Sequence, residues 1–122
     1  MKIEKISLSE KMSLFNDLWH PRIVGQLNGQ YIKLVKAQGV FEWHKHDNEV
    51  EMFLVIKGQF DMEMRHDTIT IHEGEFIIIP KGVEHRPVAK EEVQIMLFEP
   101  IGTVNTGENE SSNLTKSNIG WI

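Results

Sequence analysis

Short β-prone runs separated by turn residues fill this sequence from Ile23 to Glu99. Asn, Asp and Gly stand between many of these runs, and no helical pattern lies between them. Many short strands without intervening helices are typical of an antiparallel sandwich or barrel. The sequence therefore predicts an all-β domain. The candidate strands are Ile23–Leu27, Tyr31–Ala37, Val40–His46, Glu51–Lys57, Gln59–Arg65, Thr68–His72, Phe76–Pro80, His85–Ala89 and Val93–Glu99.

One helix candidate precedes the strands. Ser7 and Glu10 have the spacing of a capping box, and apolar residues recur at helical intervals as far as Trp19. His20 precedes Pro21, and a residue before proline is pushed out of helical geometry, so the helix is expected to end there. We therefore expect a short N-terminal helix within an extension of residues 1–22, with its apolar stripe packed on the barrel.

The composition changes after Pro100. Residues 102–118 are rich in Asn, Ser, Thr and Gly and have almost nothing to bury. This predicts a polar C-terminal tail over residues 101–122, disordered or draped over the surface. The last four residues, 119–122, are apolar enough to dock, so the end of the tail is expected to be pinned. The predicted organisation is thus an extension (1–22), a β-barrel (23–100) and a tail (101–122).

Size, charge and cysteine content exclude several classes of protein. A chain of 122 residues is long enough for one domain with a single core. Its formal net charge of -5, without a Lys/Arg cluster, argues against a nucleic-acid partner. With no cysteine, it has neither a disulfide nor a thiolate ligand. No apolar stretch resembles a signal peptide or a membrane span, so we expect a cytoplasmic protein without a membrane partner.

Two runs are apolar at every position and therefore on both faces of a strand. They are Met52–Ile56 and Phe76–Ile79. A strand buried on both sides needs a covering layer outside the barrel. Either the N-terminal helix or a second copy of the chain can supply that layer. The second alternative predicts a two-fold symmetric homodimer.

Four residues have the spacing of one metal site. His44 and His46 are two positions apart, so on an extended chain both side chains leave the same face. Glu51 begins the next apolar run, and His85 follows a Pro-Lys-Gly corner much later in the chain. Three imidazoles and one carboxylate suit divalent transition metals, and four ligands on a six-coordinate ion leave two positions for substrate. The sequence therefore predicts a reactive metal site inside the barrel.

The same alternation predicts which neighbouring side chains line the interior. If the two histidines point inward, Val40 and Glu42 share their face, and Phe41 and Trp43 point outward. If Glu51 points inward, so do the side chains of alternate residues on its strand. These are Phe53, Val55 and Lys57.

The four residues, together with the glycines and the proline around them, resemble the two motifs of the cupin superfamily. The first motif is carried by Gly39, His44, His46, Glu51 and Gly58, and the second by Gly74, Pro80, Gly82 and His85. Two positions differ from the family pattern. Four residues, rather than five, separate Gly39 from His44, and Ala89 stands where the second motif often ends in asparagine. The resemblance implies a jelly-roll barrel, also called a double-stranded β-helix, with one metal ion held by His44, His46, Glu51 and His85.

Two functions follow from this resemblance. The first is a metal-dependent enzyme on a small organic molecule, either a dioxygenase or an isomerase or decarboxylase that uses the metal as a Lewis acid. The second is a non-enzymatic module that binds or senses a small molecule. The ligand set does not separate Fe, Mn, Ni, Zn, Co and Cu. No other cofactor is predicted, and the catalytic side chains stay unidentified. Glu42 and Lys57 either support the metal ligands or relay protons, or they lie at the rim in water.

Overall fold

Antiparallel strands and one short helix make up the computed structural model, which describes residues 2–108, 113–116 and 119–122. The all-β prediction with a short N-terminal helix is confirmed. The helix, α1, is Leu8–Met12. The strands are β1 (Arg22–Leu27), β2 (Gln30–Val40), β3 (Glu51–Lys57), β4 (Gln59–Met64), β5 (Asp67–His72), β6 (Phe76–Ile79) and β7 (His85–Pro100).

The last strand, β7, organises the barrel. Its first residues, His85–Val88, pair with β4, and its second half lies between β2 and β3. The strand order is β1-β2-β7-β3-β6, and β4 also pairs with β5. Because β7 takes part in both halves of the sheet, its inward side chains share one core with those of β2, β3 and β4. That core includes Ala37, Val55, Phe60, Met62, Val93 and Ile95.

Two predicted interruptions are not strand ends. The runs predicted at 85–89 and 93–99 form one continuous strand. Lys90–Glu92 are an irregularity within it, since Ala37 pairs with Val93 and Gly39 pairs with Ala89. The predicted break between 37 and 40 is likewise absent, and β2 runs on to Val40. The strand predicted over 40–46 is wrong. Beyond Val40 the chain is irregular, apart from one bridge between His44 and His85.

The first hairpin follows from two adjacent residues. Asn28 and Gly29 have φ values of 50° and 75° and connect the paired residues Leu27 and Gln30. Two positive φ values in a two-residue loop are the requirement of the type I′ turn, which Asn-Gly meets at little cost. The turn signal therefore fixes the register of β1 against β2.

The N-terminal helix is shorter than the sequence predicts. The side chain of Ser7 accepts a hydrogen bond from the amide of Glu10 at 3.3 Å, as a cap should, but the helix ends after Met12. Met12 and Phe15 nevertheless pack into a second buried cluster, outside the barrel, with Val24 and Leu34. The predicted apolar stripe thus covers one patch of the sheet from an irregular segment rather than from a long helix.

The tail packs more closely than its polarity suggests. Thr103 and Thr106 are buried. The side-chain amide of Asn105 bonds within the tail, because its Nδ2 donates to the carbonyl of Leu114 and its Oδ1 accepts from the amide of Lys116, at 2.9 Å each. The end of the tail is pinned, since Ile23 forms a parallel bridge with Trp121. The predicted boundaries at residues 22 and 100 stay a prediction. Within the described residues, no helix has the length and apolar character needed to cross a membrane.

Candidate metal centre

The four predicted ligands meet inside the barrel. His44 and His46 lie on the irregular segment after β2, Glu51 is the first residue of β3, and His85 is the first residue of β7. All four are buried, and one ligand atom from each lies within 4.8 Å of the other three. Metal–ligand bonds of about 2.1 Å put opposite ligand atoms about 4.2 Å apart. The cluster is therefore close to the size that one ion requires.

The backbone holds two of the imidazoles side by side. His44 and His85 exchange both backbone hydrogen bonds, with N···O distances of 3.0 and 2.9 Å. Their ring centroids lie 4.2 Å apart as a result. A residue from an irregular loop is thus fixed against the start of β7 without belonging to a strand.

A second hydrogen bond orients each of these two rings. Nδ1 of His44 lies 3.0 Å from the carbonyl oxygen of Glu42, and Nδ1 of His85 lies 2.9 Å from that of Val83. In each ring Nδ1–H donates to the carbonyl, which leaves Nε2 with a free lone pair. Metal-binding histidines typically have this arrangement, because the second bond fixes both the tautomer and the ring orientation.

Several buried atoms of the cluster lack a hydrogen-bond partner among the described residues. They include Nε2 of His46, Oε1 of Glu51 and Nε2 of His85. Nε2 of His85 is 3.7 Å from Oε1 of Glu51, which is too long for a hydrogen bond. Buried polar atoms are nearly always paired. A cation that accepts these lone pairs would satisfy them, so the residues present fit a metal ion.

The protonation state of His44 also suits a cation. Burial lowers the pKa of His44 to about 4, and the neighbouring His85 adds to this effect. His46 behaves differently, since burial acts to lower its pKa but the carboxylate of Glu51, 3.2 Å away, raises it overall. His44 is therefore neutral near pH 7 and offers its lone pair without first losing a proton.

Two residues that the sequence did not indicate lie behind Glu51. The buried carboxyl of Glu99 is hydrogen-bonded to Glu51, and its Oε1 lies 2.7 Å from Nζ of Lys33. Burial and the negative charge of Glu51 raise the pKa of Glu99 well above its usual value. Although burial opposes it, the hydrogen bond from Glu99 and contacts with His46 and His85 hold the pKa of Glu51 well below its usual value. Glu99 therefore keeps the shared proton, and Glu51 stays the anion.

An apolar pocket adjoins the cluster on the side of His44 and Glu51. It opens to solvent and has a cavity volume of about 40 Å³. Apolar side chains form most of its wall, and Asn105 of the tail contributes to it. This pocket gives a small molecule room beside the four ligand candidates.

One prediction about the pocket wall is wrong. Phe41 is buried and lines the pocket, whereas Val40, predicted to point inward, is exposed. The alternation fails because the chain leaves strand geometry after Val40. The predicted inward positions of Phe53 and Val55, on the regular strand β3, are correct, but that of Lys57 is wrong, because Lys57 ends the strand and is exposed.

Comparisons with known proteins agree with this architecture. Residues 31–99, more than half of the chain, match the Cupin domain family. The chain belongs to the cupin family, which confirms the resemblance seen in its motifs. Cupins commonly bind a metal ion, and the buried cluster of three histidines and one glutamate is where this chain has the residues for one.

The proteins similar to the chain include two solved structures and one curated relative. A cupin-2 domain containing protein from Shewanella frigidimarina NCIMB 400 is 46% identical, with a TM-score of 0.77, and the match covers 78% of this chain and 93% of that one. Protein NMB1881 from Neisseria meningitidis is 28% identical, with a TM-score of 0.74 and coverages of 80% and 99%. YdbB of Bacillus subtilis (strain 168), described as uncharacterized, is 27% identical over 64 residues, or 52% of this chain. The match spans only 57% of YdbB.

Proposed function

We propose that His44, His46, Glu51 and His85 bind one divalent transition metal ion, and that the chain is a metal-dependent enzyme acting on a small organic molecule. The observation that carries this proposal is the burial of three imidazoles and one carboxylate within 4.8 Å of one another. Burying such groups is costly unless each has a partner. One divalent cation can accept a lone pair from all four groups at once.

The chemistry of the proposed site divides between the ion and the protein. When bound, an ion of this kind (Fe, Mn, Ni, Zn, Co or Cu) polarises substrate oxygen atoms as a Lewis acid or supports oxygenase chemistry. The chain itself orients His44 and His85 through their Nδ1 bonds and keeps Glu51 ionised through the protonated Glu99. The apolar pocket keeps water away from the bound molecule, which strengthens electrostatic interactions there.

A non-enzymatic binding or sensing role is the second candidate. Among the described residues that line the pocket, the only acidic or basic side chains are His44 and Glu51, both assigned here to the metal. A site without a further acid or base favours holding a ligand over transferring protons. Tight retention of a small molecule without turnover under any of the six metals would select this candidate.

Metal analysis of purified protein tests the site. We expect one equivalent of metal in the wild-type protein and a loss of stoichiometric uptake in His46→Ala and Glu51→Gln, with the barrel still folded by circular dichroism. His72→Ala is the matched control, because His72 is exposed and pairs with Glu75 on the outside. Full metal retention in both site variants would contradict the proposed site.

We also propose that the chain forms a homodimer through the outer face of β3 and β6. Phe76 and Ile78 on β6 are 59% and 52% exposed, and they pair with Leu54 and Met52 on β3. The helix segment covers a different patch, around Val24 and Leu34. An exposed apolar strip of this kind marks an interaction surface, and a two-fold dimer is the commonest way to cover one.

Sedimentation measurements test the dimer. Phe76→Glu combined with Ile78→Lys should convert a dimer into a monomer at micromolar concentration. Leu14→Glu is the control, since Leu14 is equally exposed but lies after α1. A wild-type chain that sediments as a monomer would contradict the proposal.

A further inference from the structure

The pocket beside the metal-ligand cluster limits the molecules that fit there. Its cavity volume of about 40 Å³ is small, a few times the roughly 10–15 Å³ that one water molecule needs, and its mouth opens to solvent. Six apolar side chains form most of the wall. They are Trp19, Val35, Phe41, Phe53, Ile95 and Leu97. The pocket therefore fits the short hydrocarbon part of a molecule and little more.

The polar groups in the wall are already bonded elsewhere in the protein. Nδ2 of Asn105 donates to the carbonyl of Leu114, and Oδ1 of Asn105 accepts from the amide of Lys116. The indole Nε1–H of Trp19 donates to the carbonyl of Gln38 at 3.0 Å. Pro21 and Pro87 have no N–H to donate. Apart from the proposed metal ligands, the described part of the wall offers the hydroxyl groups of a sugar only the second N–H and the second lone pair of the Asn105 side chain.

Trp19 makes the wall rigid rather than adaptable. Its φ of 60° is uncommon for a residue with a side chain. Two hydrogen bonds to β2 hold it there, from its amide to Lys36 at 2.8 Å and from its indole to Gln38. Its ring packs on Phe41 with centroids 4.8 Å apart. Because such backbone strain persists only where the surroundings enforce it, the indole keeps a fixed place in the pocket wall.

From these observations we infer that the site selects a small molecule with an oxygen donor at one end and an unbranched apolar chain of a few carbon atoms at the other. This inference rests on the proposed function, since the oxygen donor is the part that a bound metal would hold. Straight-chain carboxylic acids have this chemistry and serve as probes. Polyhydroxylated molecules of similar size would bury hydroxyl groups without partners and be rejected.

Calorimetric titration of the Zn²⁺-loaded protein with carboxylates tests the inference by binding rather than by turnover. Affinity should rise about fourfold for each added CH₂ from acetate to butyrate and then fall at hexanoate, where the chain exceeds the pocket. Butyrate and 3-hydroxypropionate differ only in a terminal methyl against a hydroxyl. Butyrate should bind at least about tenfold more tightly.

Val35 and Val93 provide a matched pair of variants. Both are buried in the barrel core, but only Val35 lines the pocket. Val35→Ala should enlarge the pocket and raise the affinity for hexanoate relative to butyrate by about fivefold or more. Val93→Ala should leave the order of the acids unchanged. The titrations of the wild-type protein with the series of carboxylates test the inference even where a variant does not fold.

The outcomes separate this inference from the proposed function. Metal uptake followed by equal or tighter binding of 3-hydroxypropionate would overturn the inference and leave the metal site standing. Affinity that does not depend on chain length in the metal-loaded wild-type protein would overturn it too. A wild-type protein that takes up no metal would overturn the proposed function before any acid is added, and the inference with it.

Discussion

Nζ of Lys33 lies 2.7 Å from Oε1 of Glu99, and the two side chains are only 2% and 1% exposed. The other oxygen of Glu99, Oε2, is buried and has no donor near it among the described residues. The pKa of Glu99 lies well above its usual value and that of Glu51 well below it, because burial and the neighbouring carboxylate favour protonation of Glu99, so one ammonium and one proton together compensate two carboxyl groups. The charge of a lysine on β2 thereby supports the carboxylate that faces the metal cluster.

Removing the lysine should be costly. Lys33→Met leaves two adjacent buried carboxyl groups without a cation, and breaking a buried pair typically costs about 3–5 kcal/mol. Lys45→Met is the control, because Lys45 pairs with Asp47 at 3.3 Å in an exposed position and such pairs contribute about 1 kcal/mol at most. Urea denaturation of the metal-free proteins measures both. Equal midpoints for the two variants would contradict the role of Lys33.

Replacing the carboxyl of Glu99 with an amide should be mild. In Glu99→Gln the side-chain oxygen still accepts from Lys33 and the NH₂ group still donates to Glu51, so we expect a loss of less than about 1 kcal/mol. Glu99→Leu removes both bonds and should cost about 3 kcal/mol or more. The free energies of unfolding of the two variants show whether the carboxyl of Glu99 is protonated or ionised. A Gln variant as unstable as the Leu variant would show that Glu99 is an anion.

Acid should destabilise the metal-free protein through His44. Its pKa is about 4 in the folded chain, against an ordinary value of 6.5 for a solvated histidine side chain. Between these pH values the unfolded chain binds more protons at this position, so the free energy of unfolding falls as the pH drops from 6.5 to 4 and then levels off. The full effect is on the order of 3 kcal/mol. The effect of His46 has the opposite sign, because its pKa is raised: its contribution to the free energy of unfolding is present at low pH and is lost as the pH rises.

A variant isolates the contribution of His44 from that of the carboxylates. The difference in unfolding free energy between the wild-type chain and His44→Asn should shrink by a few kcal/mol on going from about pH 7 to about pH 4. His66→Asn is the control, because it removes an exposed histidine in a turn, away from the buried cluster. A difference that is the same at both pH values for His44→Asn would show that burial does not hold this imidazole neutral.

Local patterns in the sequence predicted the regular parts of this protein. Glu51–Lys57 is a strand over the predicted range, because its apolar run and the glycine after it leave few alternatives. Asn28-Gly29 predicted the first hairpin for a similarly local reason. The four site residues could be named because their order and spacing follow the cupin motifs. Their convergence needed the pairing of His44 with His85, which joins segments 41 residues apart and is not visible in either one.

The residues that the sequence did not indicate depend on long-range packing. Lys33 lies two positions before Val35, and Glu99 two positions after Leu97, so each extends an inward-facing row of a strand. That alternation was the one available indication that the two side chains point inward. To predict that they pair, one must also know that β2 and β7 are neighbours. The tail gave no such signal, since the polarity of Asn105 says nothing of its place in the pocket wall.

The tail gives the last prediction, through the close approach of Gly107 to Lys45. Gly107 has a φ of 60°, and a Cβ there would overlap the carbonyl oxygen of Lys45, which accepts a hydrogen bond from the amide of Glu108 at 3.0 Å. Gly107→Ala should therefore detach the tail next to His46, with faster amide exchange at Glu108 and at least severalfold faster release of bound metal to a chelator. Gly102→Ala is the control, because Gly102 also has a positive φ, 94°, but open space around it. The left-handed backbone costs this control only about 1 kcal/mol. If both variants release metal at the same rate, backbone strain alone explains the effect and the contact with Lys45 does not hold the tail in place.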